Sequence, residues 1–431
     1  MRWERGESVA GKLKPGPGKS PEDVARIQRG RVQDAMAEIL TEHAYEAITV
    51  RMLIKRAGVS TRTFYECYSG KEECFLGLHW ETVRRLLWTV GISQAGAVGV
   101  EGRTRRTVTT LWGELAGNPT AARLVLIDVS IAGPAAQAQA RRAYRSIGTT
   151  MANCVDGSLA GTARLRFLAR GVASGLLGMA RSYLLNERVP ALPELSEELS
   201  DWAVACLDPS FETRDRPSVS SVNIGVPCDA GAPIGNEAAL LAAAVRIGAT
   251  EDPSAMSARN LLAEAGLPRR ALTANFASLE DCVARALDVQ VEKVIARTVR
   301  AAAGGPLTPR QIARSVAVFC QEMERAPAFA RFCFGRLATS NVREMIHRES
   351  IKTKIGHLIE QAIGSSPTHA TDRLRVEASA AACWGLLEEE MVQAGRVIAS
   401  RLAPVLTHLI IAPAAEGAKA DHVFGMEYDF A

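Results

Sequence analysis

Aromatic side chains make up only 5% of the 431 residues, and no run of about 18 consecutive apolar residues occurs. The second absence excludes a membrane-spanning helix. The start from Met1 to Ser20 is polar and contains Gly and Pro rather than an apolar leader, so a cytoplasmic protein is expected. Nine cysteines are present, an odd number, but none stands in a Cys-x-x-Cys pair or at metal-ligand spacing. That pattern assigns no disulfide and no zinc, and suits reduced, individually packed thiols. The seven histidines are dispersed. There is no His-Glu-x-x-His, no Gly-rich phosphate loop after a strand and no nucleophile elbow, so the chain does not read as an enzyme and calls for no cofactor. Charge of one sign is also scarce. The net +4 is only mildly basic and by itself identifies no nucleic-acid binder.

What is present is helical. The 47% apolar content is ample for packed cores, and the length suits several domains. Ser20-Pro21-Glu22-Asp23 has the form of a helix start, with serine as cap, proline at the first position and an acid at the third. Val24, Ile27, Ala35, Met36, Ile39 and Leu40 continue as an apolar stripe. Val50, Leu53, Ile54 and Ala57 recur at helical spacing; Gly58 can take the positive φ that ends a helix sharply, and Ser60 can cap the next. The following helix, about Thr61 to Tyr68, carries small polar residues and Arg62 on its early positions and turns Phe64 and Tyr68 inward. Ser69 and Glu72 have capping-box spacing for the helix after it. This is a helix-turn-helix. Arg51, Lys55, Arg56 and Arg62 occur without an acid between them, whereas the preceding helix carries Asp34, Glu38, Glu42 and Glu46.

The pattern Thr49, Ala57-Gly58-Val59-Ser60, Thr63-Phe64-Tyr65, Tyr68 and Lys71-Glu72 resembles the TetR-type repressors over roughly residues 22 to 90. By that resemblance Thr49, Arg51, Thr61, Arg62, Thr63, Tyr65 and Lys71 fall where the family meets double-stranded operator DNA. Cys67 departs from the family, which more often has histidine or another polar residue there.

Shifting the chain by 208 residues places Ala265-Gly266-Leu267-Pro268-Arg269-Arg270-Ala271-Leu272 under the segment starting at Ala57, without a gap. Ser257 falls under Thr49, Arg259 under Arg51 and Phe276 under Tyr68, and Pro327, Ala330 and Arg331 fall under Pro119, Ala122 and Arg123. The expectation is an all-α protein of two tandem TetR-like units, a duplication rather than a solenoid. Its divisions are a basic tail at 1–20, a helix-turn-helix domain at 21–90, a helical ligand-binding and dimerisation domain at 91–207, a linker at 208–235 rich in breakers, a degenerate helix-turn-helix domain at 236–300, a second helical domain at 301–412 and a tail at 413–431. A linker of roughly 28 residues averages about 30 Å end to end, enough to seat the units side by side. The first tail is either a minor-groove arm or a disordered leader. Further breaks are expected at 95–102, 117–119, 133–134, 156–157 and 189–190, leaving five or six helices per unit after the DNA-binding three.

In the second motif Pro268 stands where Ser60 caps, Ala271 replaces Thr63, Thr273 replaces Tyr65 and Leu279 replaces Lys71. Arg259, Arg269 and Arg270 remain, so it either reads a different half-site or is mainly structural. By resemblance, the middle helices of each unit surround a cavity for a small-molecule effector and the last two build a four-helix interface. Trp112, Leu115, Leu126, Tyr144, Met151 and Met179 are candidates for a largely apolar pocket, with plain core as the alternative. Ala169, Gly171, Ala173, Gly175 and Gly178, with Ala378, Ala381, Ala382 and Gly385, are small residues that either join the units or pack within each. The implied function is a ligand-responsive transcriptional repressor, acting as an intramolecular pseudo-dimer or a homodimer. The alternative is a ligand-sensing or protein-interaction module that keeps the scaffold without specific DNA binding.

Overall fold

The computed structural model describes residues 20–155, 163–188, 193–208, 235–250, 255–302, 308–335, 342–363 and 370–421, and among them every regular element is helical. The expected tail at 1–20 (but for Ser20), the linker and the breaks at 156–157 and 189–190 lie outside the described residues.

Helix α1 (Pro21–Glu42) begins as its sequence dictates: the Ser20 hydroxyl accepts from the Asp23 amide at 3.1 Å and the Asp23 carboxylate accepts from Ser20 in return. Helices α2 (Val50–Ala57), α3 (Thr61–Cys67) and α4 (Lys71–Ser93) follow. The box at the start of α4 differs from expectation. Both the amide and the hydroxyl of Ser69 donate to Glu73, not Glu72, because Gly70 stands between as an extended cap residue and moves the partner one position along. Phe64, Leu53, Met36, Ile39 and Phe75 are fully buried in a core formed by these four helices and one face of the segment after residue 118.

That segment joins helices α1 to α4 to the rest. Helix α5 (Gly99–Gly117) stops at Asn118, whose side chain caps α6 (Pro119–Arg123); a π-helical turn at Leu124–Asp128 and the short α7 (Val129–Ile131) continue it. Leu124 and Val129 pack into the first core, while Val125, Leu126 and Ile127 pack into the second. A regular 3.6-residue helix keeps one face inward, and the wider π turn lets consecutive residues serve two cores. Helices α8 (Pro134–Ala152), α9 (Ala163–Leu185) and α10 (Ser196–Leu207) complete this half.

From residue 236 the helices are α11 (Asn236–Gly248), α12 (Ala258–Ala265), α13 (Arg270–Asn275), α14 (Leu279–Ala302), α15 (Pro309–Arg325), α16 (Pro327–Phe334), α17 (Val342–Ile363), α18 (Ala370–Ala394) and α19 (Ala399–Asp421). The two halves share one apolar core, which runs from Val83 in the second half of α4 to Ile411 and leaves out α1, α2 and α3. Its centre is the crossing of α9 with α18, flanked by α10 and α19. Small residues permit that approach. A Cβ built on Gly175 lies 2.9 Å from the Ala378 carbonyl and 2.5 Å from the Trp202 ring, and one on Gly178 lies 3.0 Å from Ala381. Ser379 ties the same seam, accepting from Trp202 Nε1 at 3.0 Å and donating to the Leu409 carbonyl at 2.7 Å.

That last bond explains a second difference from expectation. Residues 413–421 continue α19 instead of forming a loose tail, although Pro404 and Pro413 lie inside the helix. Proline at 413 has no amide to offer the Leu409 carbonyl four residues earlier, and Ser379 of α18 supplies the missing donor.

Candidate nucleic-acid interface

The turn between α2 and α3 is built by local chemistry. Thr49 Oγ1 accepts from the Met52 amide at 3.3 Å, and Gly58 closes α2 at φ 63°, a left-handed conformation that favours glycine. Ser60 Oγ then accepts from the Thr63 amide at 3.0 Å and lies 2.8 Å from the Thr63 hydroxyl. Phe64 is fully buried and Tyr68 nearly so, its hydroxyl reaching the Arg29 carbonyl at 3.5 Å; these two inward side chains fix how α3 rolls on α1. Cys67 is buried as well, and desolvation pushes its thiol up, so it faces the core rather than any partner.

The outward face is therefore defined. Arg51, Thr61, Arg62 and Tyr65 are exposed and Thr63 is half-buried. Arg62 is 88% exposed and pairs with Glu66 one turn on, Nε to Oε1 at 2.8 Å. Tyr65 is 56% exposed with its ring edge-on to Phe64, so it is not core. Arg56 points elsewhere: its guanidinium meets Glu42 at 2.9 Å and Glu38 at 3.3 Å on α1. The basic run in the sequence thus divides between a fold-holding residue and outward ones.

Lys71 has a role that no sequence signal announced. Its ammonium donates to the carbonyls of Ile48 at 2.9 Å, Tyr45 at 3.1 Å and Glu46 at 3.3 Å and sits 4.6 Å from the centre of the Tyr45 ring. It anchors the start of α4 to the short turn that precedes α2, and so fixes a positive charge at the edge of the motif.

The second motif repeats the backbone. Ser257 caps α12 by accepting from the Asn260 amide at 3.2 Å, and Gly266 ends that helix at φ 66°. Helix α13 has no side-chain cap; the Pro268 carbonyl accepts from the Ala271 amide at 2.8 Å instead. Arg259, Arg269 and Arg270 are exposed, and Ala271 and Leu272 are buried.

Residues 33–78 match the family described as bacterial regulatory proteins, tetR family. That segment is a tetR-family DNA-binding domain. It spans the second half of α1 through the first part of α4, and so includes all seven outward or capping residues named above. Two solved structures, of a fatty acid degradation regulator FadR and of a transcriptional regulator FadR, align with the chain at 16% identity. The one from Bacillus halodurans covers 44% of this chain and 96% of its own at a TM-score of 0.35; the one from Bacillus subtilis, in complex with stearoyl-CoA, covers 41% and 97% at 0.37. No curated protein matches.

The six pocket candidates are placed less openly. Trp112, Leu115, Leu126, Met151 and Met179 are buried in the shared core, and Tyr144 is half-buried beside Arg181. The apolar pocket described in the structure lies in the second half, with about 20 Å³ of space lined by residues that include Phe319, Met323, Phe334, Ile351 and Trp384. No described helix is long and apolar enough to cross a membrane, and among the described residues no three His, Cys, Asp or Glu side chains converge as a metal requires.

Proposed function

We propose that the chain is a ligand-responsive transcriptional repressor that reads operator DNA through residues 49 to 71. The observation that carries this reading is the face of α3: a two-turn helix whose apolar side is locked inward while Thr61, Arg62 and Tyr65 project to solvent. In a major groove Thr61, Arg62 and Thr63 would meet base edges, and Arg62, once it exchanges Glu66 for guanine, would form a bidentate contact. Thr49, Arg51 and Tyr65 would meet phosphates, while Lys71, its three donors held by carbonyls, would add only its charge beside them.

The reading extends to the assembly. We infer two TetR-like units in one polypeptide, paired through α9 and α18, so that a single chain imitates a dimer. Supporting this, Gly175 and Gly178 approach Ala378 and Ala381 across a continuous core. Thr61-Arg62-Thr63 and Arg269-Arg270-Ala271 would then occupy major grooves about 34 to 36 Å apart and read unlike half-sites. The operator would be asymmetric. An effector would act by stabilising a spacing of the two reading helices that no longer fits the duplex.

Light scattering with a DNA footprint tests both levels. A mass near 46.2 kDa with an asymmetric footprint is expected. A mass of twice that value, with a symmetric footprint unchanged by Arg269→Ala and Arg270→Ala, overturns the single-chain dimer. Equal binding to preferred and scrambled DNA overturns the sequence-reading role.

A further inference from the structure

Where the two halves meet, charge is buried in an unbalanced group. Arg181 of α9 pairs with Glu349 of α17 at 3.1 Å, and Lys352 pairs with the same carboxylate. Arg348, one residue before Glu349, reaches Glu388 of α18 only at 3.5 Å and the Phe332 carbonyl at 3.4 Å. Three cations thus share two carboxylates. Glu388 is further engaged, accepting from Trp384 Nε1 at 2.6 Å. The Arg348 side chain is 6% exposed, and its Nε is buried without a hydrogen-bond partner. Tyr144 of α8 stands beside Arg181.

An arginine donor orphaned away from water is costly, and an excess buried positive charge more so, unless an anion completes the set. The apolar pocket of the second half begins at the same place. Trp384 and Ile351 form its wall, Phe334 stacks on Trp384 with ring centres 4.8 Å apart, and the Arg348 guanidinium lies 6.0 Å from the Trp384 ring. Its other wall includes Met323, whose unbranched side chain can swing to enlarge a space that now holds about one water molecule.

We propose that this seam is the effector site, and that the effector is a small apolar carboxylate: Arg348 takes the carboxylate with Lys352 and Arg181 beside it, and the apolar part enters the pocket behind Trp384. The inference rests on reading the later helices as the regulatory part of the protein. Because Arg181 belongs to the first half and Arg348 to the second, a bound carboxylate would pull on both and alter how the halves sit against each other.

The test uses the full chain without DNA, so that its failure is separate from failure of operator reading. Thermal unfolding is followed with hexanoate, with 1-hexanol as the uncharged analogue and with sodium sulfate as charge without a chain. Hexanoate is expected to raise Tm by about 3 °C near saturation, with hexanol and sulfate giving no comparable shift. Arg348→Met should abolish the response. Arg181→Gln, on the other half, should weaken it at least about tenfold, the loss of one charged contact, and serves as the second variant if the first does not fold. Equal shifts with hexanol reduce the site to plain apolar binding and overturn the proposal, as does an equal shift with sulfate, which would mark an adventitious ion only. Retention of the hexanoate response in both variants also overturns it.

Discussion

The two helix-turn-helix segments share a backbone and differ in almost everything placed upon it. Gly58 and Gly266 close their helices at φ 63° and 66°, and Leu53 and Leu261 are both fully buried. Yet the first motif packs into a smaller core that it shares with Leu124, Val129 and the start of α8, whereas Leu261, Leu272 and Cys282 of the second belong to the core shared by both halves. The first also has a hydroxyl cap at Ser60 and the Lys71 carbonyl anchor, where the second has Pro268 and Leu279. The lesson is that the turn geometry needs little more than one glycine and a few apolar positions. The polar fittings of the first motif are additional and can be lost.

That contrast can be broken or sharpened by substitution. The largest effect is expected at Phe64, whose counterpart is Leu272. Phe64→Ala should cost about 3 to 5 kcal/mol in the stability of the first domain, measured by denaturant unfolding, and Leu272→Ala less, because a smaller side chain is removed. Equal losses would deny that side-chain size sets the difference.

Next is the pH dependence that His79 adds to the first half, beside that of the similarly buried His408 on α19. His79 on α4 is fully buried and accepts or donates one bond with Gln139 at 2.8 Å, and burial lowers its pKa from 6.5 to about 4; Leu287 occupies the same place in the second half. A histidine depressed in the folded state leaves the unfolded chain binding more protons between those values. Its stabilising contribution is therefore present above pH 6.5 and is lost as pH falls toward 4, by roughly 3 kcal/mol. Unfolding at pH 7 and pH 4.5 should show that loss, and His79→Leu should reduce it; an unchanged pH slope in the variant would contradict the assignment.

Lys71→Ala should cost about 1.5 to 3 kcal/mol through the loss of charged hydrogen bonds to three carbonyls and weaken DNA of every sequence, while Leu279→Ala should leave DNA binding unchanged. Arg62→Ala should instead relax base preference, by about 1 to 3 kcal/mol of discrimination, with little change in stability. Binding of preferred and scrambled duplexes across a salt series separates the two. The smallest effect is expected at the caps. Ser60→Ala should cost about 1 kcal/mol and Pro268→Ser should return part of that to the second motif. No difference in unfolding midpoint for either would show that capping does not distinguish the motifs.

Much of the first domain was legible because its signals are local. Ser20 with Asp23, Gly58 and Ser60 each act on backbone groups within three or four residues, so sequence spacing is nearly spatial spacing. Legibility ended where a partner came from elsewhere. Glu73 rather than Glu72 took Ser69 because the Gly70 cap residue changed the offset, and Arg56 turned from the expected basic face to Glu38 and Glu42 on another helix. The pocket candidates were apolar residues on helices, and nothing in their order says whether they enclose a space or fill one.

The sequence by itself determined the helices around the first turn, the positive φ of Gly58 that ends one of them and the inward turn of Phe64 and Tyr68, while the outward set Arg51, Thr61, Arg62 and Tyr65 came from the family resemblance. The first three follow from periodicity and capping, which are properties of neighbouring residues. Only the tertiary structure decided that Lys71 is spent on three carbonyls, that Ser379 carries α19 through Pro413, that Arg181 pairs with Glu349 across 168 residues, and that the Arg348 Nε is buried without a hydrogen-bond partner. Each depends on atoms brought together from distant parts of the chain, and burial sets their energies through the removal of water, which no local pattern records.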